Sequence, residues 1–147
     1  MGNTCTRDKD ALPIQRMPSK RRPFVTLNVY NLGTLAPIKL VNSVMRHFGG
    51  GFFHCGVEVD GLEWSYSDVE YDPGDVADGT GIFSCPPRYC AGHTFCESVP
   101  MGPSVLQPLE VLTLITSMEP KWPAASYDTF RQNCCHFADA LCVRLGV

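Results

Sequence analysis

Long apolar runs are missing from this sequence, and no stretch of it is long enough to cross a lipid bilayer. The chain also lacks an excess of basic residues, since its formal net charge of -3 gives no sign of a nucleic-acid-binding surface. Its polar N-terminus lacks the apolar core of a secretory signal. What is present, 147 residues of which 44% are hydrophobic, predicts one domain with one core.

Eight cysteines are present. An even number suits a disulfide framework, but the missing secretory signal predicts reduced thiols and a cytoplasmic location. A reduced cysteine is usually a small buried hydrophobe, and that is our interpretation of Cys55 and Cys142.

The N-terminus matches an acylation motif. The opening MGNTCT fits N-myristoylation of Gly2, and Cys5 lies close enough for palmitoylation. One myristoyl chain binds a membrane with an association constant of only about 10⁴ M⁻¹, so Cys5 and the basic cluster at 20–22 would supply further anchoring. We predict that residues 1–22 are a flexible arm which holds residues 23–147 peripherally on the cytosolic face of a membrane. The alternative is a disordered start that matches a short pattern by chance.

The distribution of turn residues divides the rest of the chain into short elements. The β-branched and aromatic segment 24–30 predicts a strand, and Pro37 opens a helical pattern that ends at glycines 49–51. Segment 68–81 predicts an acidic surface loop, and 82–84 and 94–99 predict short strands. Pro108 starts a helix whose predicted inward residues are Leu109, Leu112, Ile115 and Met118.

A β-hairpin is the clearest local prediction. Two alternating runs, 52–59 and 62–67, flank Asp60-Gly61, which favours a type I′ turn. In the first run, alternation places His54 and Gly56 opposite the more apolar face. Because Gly56 has no side chain, it would leave space beside the histidine for another group to approach.

The last helix separates two adjacent cysteines. Asn133 is a good N-cap, and Cys135 is rotated about 100° away from Cys134. An apolar stripe runs along the packed face of this helix: Cys134, Phe137, Ala138, Leu141, Cys142 and Leu145. A helix N-terminus favours a thiolate, and a nearby histidine would complete a Cys/His nucleophile pair. Both would lower the pKa of the thiol below its ordinary value. We therefore predict Cys134 as the nucleophile and His54 as its partner. His136 is expected to be structural or on the surface.

Three segments in this order resemble the PPPDE peptidases: FHCGVEV at 53–59, GIFSCPP at 81–87 and NCCHFADALC at 133–142. The resemblance covers about residues 24–146. It implies an α+β, permuted papain-like fold with a small antiparallel sheet packed against helices. It also implies that His54 and Cys134 form the catalytic dyad of an isopeptidase that removes ubiquitin or SUMO from lysine, with no cofactor or metal. The oxyanion donors would include the backbone amide of Cys134. No Asp or Glu stands out as a partner that orients His54.

Two alternatives stay open at this point. The protein could be a thioesterase that removes acyl groups from cysteines. It could instead be a non-enzymatic interaction module stabilised by zinc at Cys85, Cys90, His93 and Cys96, although the spacing of these residues does not match the common paired arrangement.

Overall fold

The computed structural model describes residues 21–32, 53–69 and 79–147. Lipidation at Gly2 and Cys5, most of the N-terminal arm, the helix opened by Pro37 and most of the acidic loop lie outside these residues and stay predictions. Within the described ranges, no helix is both long and apolar enough to span a membrane. The cysteines in these ranges form no disulfides.

A five-stranded antiparallel sheet organises the described part of the chain. In sheet order the strands are β4 (Ile82–Cys85), β3 (Leu62–Tyr66), β2 (Phe53–Val59), β1 (Phe24–Asn31) and β5 (Thr94–Pro103). Two α-helices follow, α1 (Pro108–Met118) and α2 (Cys134–Leu145), with short 3₁₀ helices at Glu119–Lys121 and Ala124–Ser126 between them. The predicted α+β class, a small antiparallel sheet packed against helices, is confirmed.

The predicted hairpin is formed by β2 and β3. Asp60 and Gly61 both have positive φ, 50° and 80°, as a type I′ turn requires. The ladder runs from the turn to the Val57–Trp64 pair. Beyond that pair, Ser65 Oγ donates to the carbonyl oxygen of Cys55 at 2.6 Å, so a side chain replaces the backbone contact where the two strands part.

Both faces of the sheet contain buried residues from β1 to β4, whereas β5 is mostly exposed. The main core lies between the sheet and the helices, where Val57 belongs to the same cluster as Ile115 of α1 and Phe137 of α2. A smaller cluster contains Tyr30, Phe83, Cys85 and Cys90. Tyr30 is the cross-strand partner of His54. The face that carries His54 is therefore less apolar, as predicted, but it is buried rather than open.

The predicted inward face of α1 is wrong in part. Ile115 and Met118 are buried, but Leu109 and Leu112 are 76% and 48% exposed, and Val111 lies inward instead. Residues spaced strictly by three drift around a helix by about 60° at each step, so Leu109 and Met118 lie on opposite sides. Val111, Ile115 and Met118 stay within about 60° of one another and form the packed face.

The predicted start and packed face of α2 are confirmed. Asn133 Oδ1 accepts hydrogen bonds from the amides of Cys135 and His136, at 3.0 and 3.1 Å. The buried residues of α2 are the six members of the predicted stripe. His136 is exposed, and its Nδ1 accepts the Asn133 amide at 3.3 Å, which completes the cap.

Candidate active site

The N-terminus of α2 meets the first residues of β2, where the hairpin strands part. Cys135 Sγ lies 3.3 Å from Cys55 Sγ and 3.9 Å from the carbonyl oxygen of Phe53. The neighbouring Cys134 thiol lies close enough to the His54 ring for the histidine to lower the pKa of the thiol. Both side chains are almost fully buried, with 3% and 4% exposure. The structure thus brings together the two residues that the sequence predicts as a pair, and their catalytic roles stay a prediction.

Ser65 orients the His54 ring. Its hydroxyl oxygen lies 3.1 Å from His54 Nε2, and its proton is donated to the carbonyl oxygen of Cys55. Because that proton is already committed, the Ser65 oxygen is left to accept a hydrogen bond from the imidazole. This arrangement assigns a proton to Nε2 of the neutral ring and leaves Nδ1 as the basic nitrogen.

The sequence analysis missed Ser65 because it looked for an acidic partner of His54. A signal was available. The Asp60-Gly61 turn fixes the register, with Val59 opposite Leu62 and Val57 opposite Trp64. Continued for one more residue, that register sets Ser65 opposite Gly56, on the face of the sheet that carries His54.

The Cys134 thiol is held in its protonated form in this arrangement. A hydrogen bond with Cys135 and burial raise the pKa of Cys134 to about 12, although the hydrogen bond and charge interaction with His54 lower it. The effect of His54 therefore has the predicted sign. The predicted net lowering is wrong, because the adjacent thiol and the loss of solvent outweigh the histidine.

Cys135 lies on the exposed side of the first turn, as predicted, but it is not isolated from the site. The hydrogen bond with Cys134 lowers the pKa of Cys135, whereas contact with Cys55 and burial raise it, to about 11 overall. Cys134, Cys135 and Cys55 thus form a chain of interacting thiols. Cys55 is half-buried in this chain and is not the fully buried hydrophobe that the sequence suggested. Cys142 is buried in the main core, as expected.

Tyr127 is a second neighbour of Cys134 that the sequence analysis did not identify. Burial and then interaction with Cys134 raise the pKa of Tyr127 to about 12. The phenol is therefore neutral at physiological pH and keeps a hydroxyl proton to donate towards the thiol.

A buried carboxylate supports the other side of His54. Glu63 is 0% exposed and accepts hydrogen bonds from Asn28 Nδ2 at 2.7 Å, Tyr30 hydroxyl at 2.7 Å and the Arg88 amide at 2.8 Å. Tyr30 in turn presents its ring edge to His54, with ring centroids 5.9 Å apart. A Cβ atom at Gly56 would collide with the Glu63 carboxylate. The space that Gly56 provides is therefore occupied by Glu63.

The segment after β4 folds back over His54. The His93 ring stacks on the His54 ring with centroids 4.3 Å apart and planes 13° apart. Cys90 Sγ lies 3.5 Å from His54 Nε2. Burial and the neighbouring His54 lower the pKa of His93 to about 4, so His93 is neutral at physiological pH.

The candidate zinc residues do not all meet. Donor atoms of His54, Cys90 and His93 lie within 4.8 Å of one another. Among the described residues, these three form a potential metal-binding cluster. Cys85 and Cys96 are not part of it. The structure therefore retains Cys90 and His93 from the set predicted from sequence. His54, the predicted catalytic histidine, takes the place of the other two cysteines.

A cavity of about 300 Å³ lies apart from this pair of residues. Its lining includes Trp122 and three cationic side chains, Lys121, Arg131 and Arg144, but neither His54 nor Cys134. The cavity therefore does not mark the candidate active site, which is identified by the convergence of the Cys134 thiol, the His54 imidazole and the first turn of α2.

Comparison with known proteins finds similar sequences over most of the chain. The family model of the PPPDE peptidase domain matches residues 24–147. A DeSI-like protein of Arabidopsis thaliana is 31% identical over 121 residues, which cover 82% of this chain and 49% of that protein. A desumoylating isopeptidase 1 homolog of Caenorhabditis elegans is 29% identical over 127 residues, covering 84% of this chain and 34% of that protein.

A third relative, the DeSI-like protein sdu1 of Schizosaccharomyces pombe, is 28% identical over 122 residues, covering 82% of this chain and 57% of that protein. The matched region thus spans between about a third and somewhat more than half of the length of these curated relatives.

Proposed function

The chain belongs to the PPPDE peptidase family, and from that premise we propose that it is a cysteine isopeptidase which removes a ubiquitin-like modifier from protein lysines. The observation that carries the proposal is the meeting of Cys134, in the first turn of α2, with the His54 imidazole. A thiol and an imidazole in hydrogen-bond contact, with the imidazole oriented by a third group, are the components of nucleophilic acyl transfer. Ser65 is that third group here.

The proposed reaction begins with a neutral pair, because the Cys134 thiol keeps its proton at rest. His54 Nδ1 takes this proton as Sγ attacks the isopeptide carbonyl carbon. The imidazolium then gives its proton to the lysine Nζ, the C–N bond breaks, and a thioester joins Cys134 to the modifier. Water attacks the thioester while His54 removes a proton from it. The C–S bond breaks, His54 returns the proton to Sγ, and the modifier leaves as a carboxylic acid that loses its remaining proton to solvent.

The first turn of α2 supplies a place for the oxyanion. The Asn133 side chain uses the amides of Cys135 and His136 as its capping donors. The Cys134 amide, at the positive end of the helix dipole, is our proposed oxyanion donor, and it would exchange its hydrogen bond with the Tyr127 hydroxyl oxygen for one with the substrate oxygen. Tyr127, whose hydroxyl faces the Cys134 thiol, is the candidate for a second donor.

SUMO is the modifier that we propose first, with ubiquitin as the competitor. The Caenorhabditis elegans relative is named for desumoylation. A thioesterase acting on acylated cysteines would use the same nucleophile, so substrate assays must separate the two activities.

The test uses SUMO and ubiquitin that carry an electrophile at the C-terminus, together with the corresponding conjugates to lysine. We expect the SUMO probe to label Cys134 and the lysine conjugate to be cleaved. Cys134→Ala and His54→Ala should reduce cleavage by at least about 10³-fold, the scale of losing a nucleophile or its base.

Cys135→Ser and His136→Ala are the matched controls in the same turn, and both should keep most of the activity. Hydrolysis of a small acyl-cysteine thioester without any cleavage of lysine conjugates would instead favour the thioesterase. An active Cys134→Ala variant would overturn the proposal.

We also propose that acylation of Gly2 and Cys5 holds the enzyme on the cytosolic face of a membrane. The support is the N-terminal motif and the need for more than one anchor. Gly2→Ala should move the protein to the soluble fraction and leave its activity on a soluble substrate unchanged, whereas Cys5→Ser should release only part of it. Unmodified Gly2 in protein isolated from its native cell would contradict this proposal.

A further inference from the structure

We propose that Cys90, His93 and His54 form a binding site for a borderline-soft divalent cation such as Zn²⁺, and that the bound cation inhibits the enzyme by occupying His54. The binding site follows from geometry and donor chemistry alone. The inhibition also rests on the proposed function, because it assumes that His54 is the base for Cys134.

The distances fit a tetrahedral zinc centre. Zinc binds sulfur at about 2.3 Å and imidazole nitrogen at about 2.0 Å, so two such ligands in a tetrahedron lie about 3.5 Å apart. Cys90 Sγ and His54 Nε2 are 3.5 Å apart. The donor atoms of all three residues lie within 4.8 Å of one another, and the His93 ring would have to turn out of its near-parallel stack on His54 so that the planes of both rings contain the metal.

The backbone holds two of the ligands in a tight turn. The His93 amide donates to the Cys90 carbonyl oxygen at 3.3 Å, and Gly92 takes the left-handed conformation with φ of 81°. The same segment is anchored by the Arg88 amide, which donates to the buried Glu63 carboxylate at 2.8 Å. A Cys-x₂-His pair on an anchored turn is therefore presented to a third ligand from β2.

The donor set favours a particular class of metal. One thiolate and two imidazoles are ligands of zinc, copper and cobalt, whereas magnesium and calcium prefer oxygen ligands. Three protein ligands leave the fourth tetrahedral position to water.

Binding would change the protonation of His54. The metal replaces the proton of the Cys90 thiol, which leaves to solvent, and it bonds to His54 Nε2, so the ring proton moves to Nδ1. A ring with metal on one nitrogen and a proton on the other can no longer accept the proton of Cys134. The bound metal also replaces the hydrogen bond from Nε2 to Ser65.

Metal binding is tested first without any assay of activity. Metal-free full-length protein is titrated with Co²⁺, whose thiolate charge-transfer and visible d–d bands report sulfur ligation and tetrahedral geometry. We expect one equivalent to bind and to be displaced by Zn²⁺. Cys90→Ser should remove the thiolate band, and His93→Asn should weaken binding at least tenfold.

Cys96→Ser is the matched control, because Cys96 lies three residues beyond His93 but outside the cluster. It should bind Co²⁺ like the wild type. Cys134→Ala should also retain binding. Loss of the thiolate band in Cys134→Ala, or an unchanged band in Cys90→Ser, would overturn the site, because the metal would then use the Cys134 thiol instead.

Inhibition is tested by cleavage of a SUMO–lysine conjugate with increasing Zn²⁺, each variant being compared with its own metal-free rate. The Zn²⁺ concentration for half-inhibition should rise at least tenfold in Cys90→Ser and stay unchanged in Cys96→Ser. Cobalt binding by a protein that cleaves no conjugate would refute the proposed function and leave the site intact. A protein that cleaves the conjugate but binds no cobalt would refute this inference alone.

Discussion

At the scale of the residue, the Cys134 thiol lies between two groups that have opposite effects on its pKa. The neighbouring Cys135 raises its pKa, and His54 lowers it. A thiol with a pKa of about 12 is almost wholly protonated at neutral pH, so the attack on a substrate depends on proton transfer to His54 rather than on a standing thiolate. The protein thereby limits the reactivity of Cys134 towards other electrophiles until a substrate carbonyl is in place.

Replacing Cys135 should therefore make Cys134 more reactive. Cys135→Ala removes the hydrogen bond that is the largest influence raising the pKa of Cys134, so the alkylation rate should rise at a lower pH than in the wild type. His54→Ala removes an influence that lowers this pKa, and its curve should move to more alkaline pH. The measurement is iodoacetamide modification of Cys134, followed by peptide mass spectrometry from pH 6 to 11. Cys142→Ala, in the main core, is the control. If the Cys135→Ala and wild-type curves coincide, the adjacent thiol does not hold the Cys134 proton.

Ser65 should act by positioning His54. Ser65→Ala leaves the imidazole without its hydrogen-bond acceptor, and the resulting misplacement should lower kcat by up to about 100-fold with little change in KM. Nitrogen NMR of labelled histidine gives an independent readout, since the His54 proton should no longer be confined to Nε2. Ser67→Ala, two residues along, is the control because Ser67 bonds the Val69 amide. An unaltered tautomer and kcat in Ser65→Ala would leave Ser65 with a structural role only.

At the scale of the element, the hairpin and its buried carboxylate act as one unit. Glu63 on β3 fills the space over Gly56 on β2, and it also fixes Arg88, whose φ of 64° is unusual for a residue with a side chain. The carboxylate thus connects the hairpin to the segment that carries Cys90 and His93. We expect the order of that segment to depend on Glu63.

Gly56 and Glu63 should show strong energetic coupling. Gly56→Ala drives a methyl group into the carboxylate and should destabilise the protein by several kcal/mol, as overpacking and loss of buried hydrogen bonds do. Glu63→Ala leaves three donors without their acceptor and should cost about 3 kcal/mol or more. In the double variant the methyl group enters the space that Glu63 vacates, so the two losses should not add. Urea denaturation of all four proteins measures the coupling, and additive losses would contradict the contact.

The elements that could be predicted from sequence are those fixed by local signals. Asp60-Gly61 determines the hairpin and its register, and Asn133 determines where α2 begins. The helical pattern alone was insufficient for α1, because Leu109 and Leu112 are as apolar as the buried Val111. The return of Cys90 and His93 onto His54 could not be predicted, since it depends on Glu63 and Arg88, which are far apart in sequence.

At the scale of the whole molecule, burying both faces of the sheet has a consequence for acid stability. On the less apolar face, the half-buried His93 ring stacks on the buried His54 ring. Burial and the neighbouring His54 ring both disfavour a charge on His93 in the folded state. Lowering the pH should therefore lower the free energy of unfolding through the His93 ring that stacks on the candidate base.

Stability should accordingly fall as the pH is lowered from about 6.5 to about 4. Burial and the adjacent His54 lower the pKa of His93 from 6.5 to about 4 in the folded protein. Between these values the unfolded chain binds a proton at His93 that the folded chain does not, so lowering the pH favours unfolding. The contribution is fully present above pH 6.5 and is lost by about pH 4, where both states are protonated.

The measurement is the free energy of unfolding from urea titrations at each pH, with a chelator present. His93→Asn should flatten the curve in this window, whereas His136→Asn, an exposed histidine, should keep the wild-type slope. Equal slopes for wild type and His93→Asn would show that burial and the His54 ring do not lower the pKa of His93 in the folded protein.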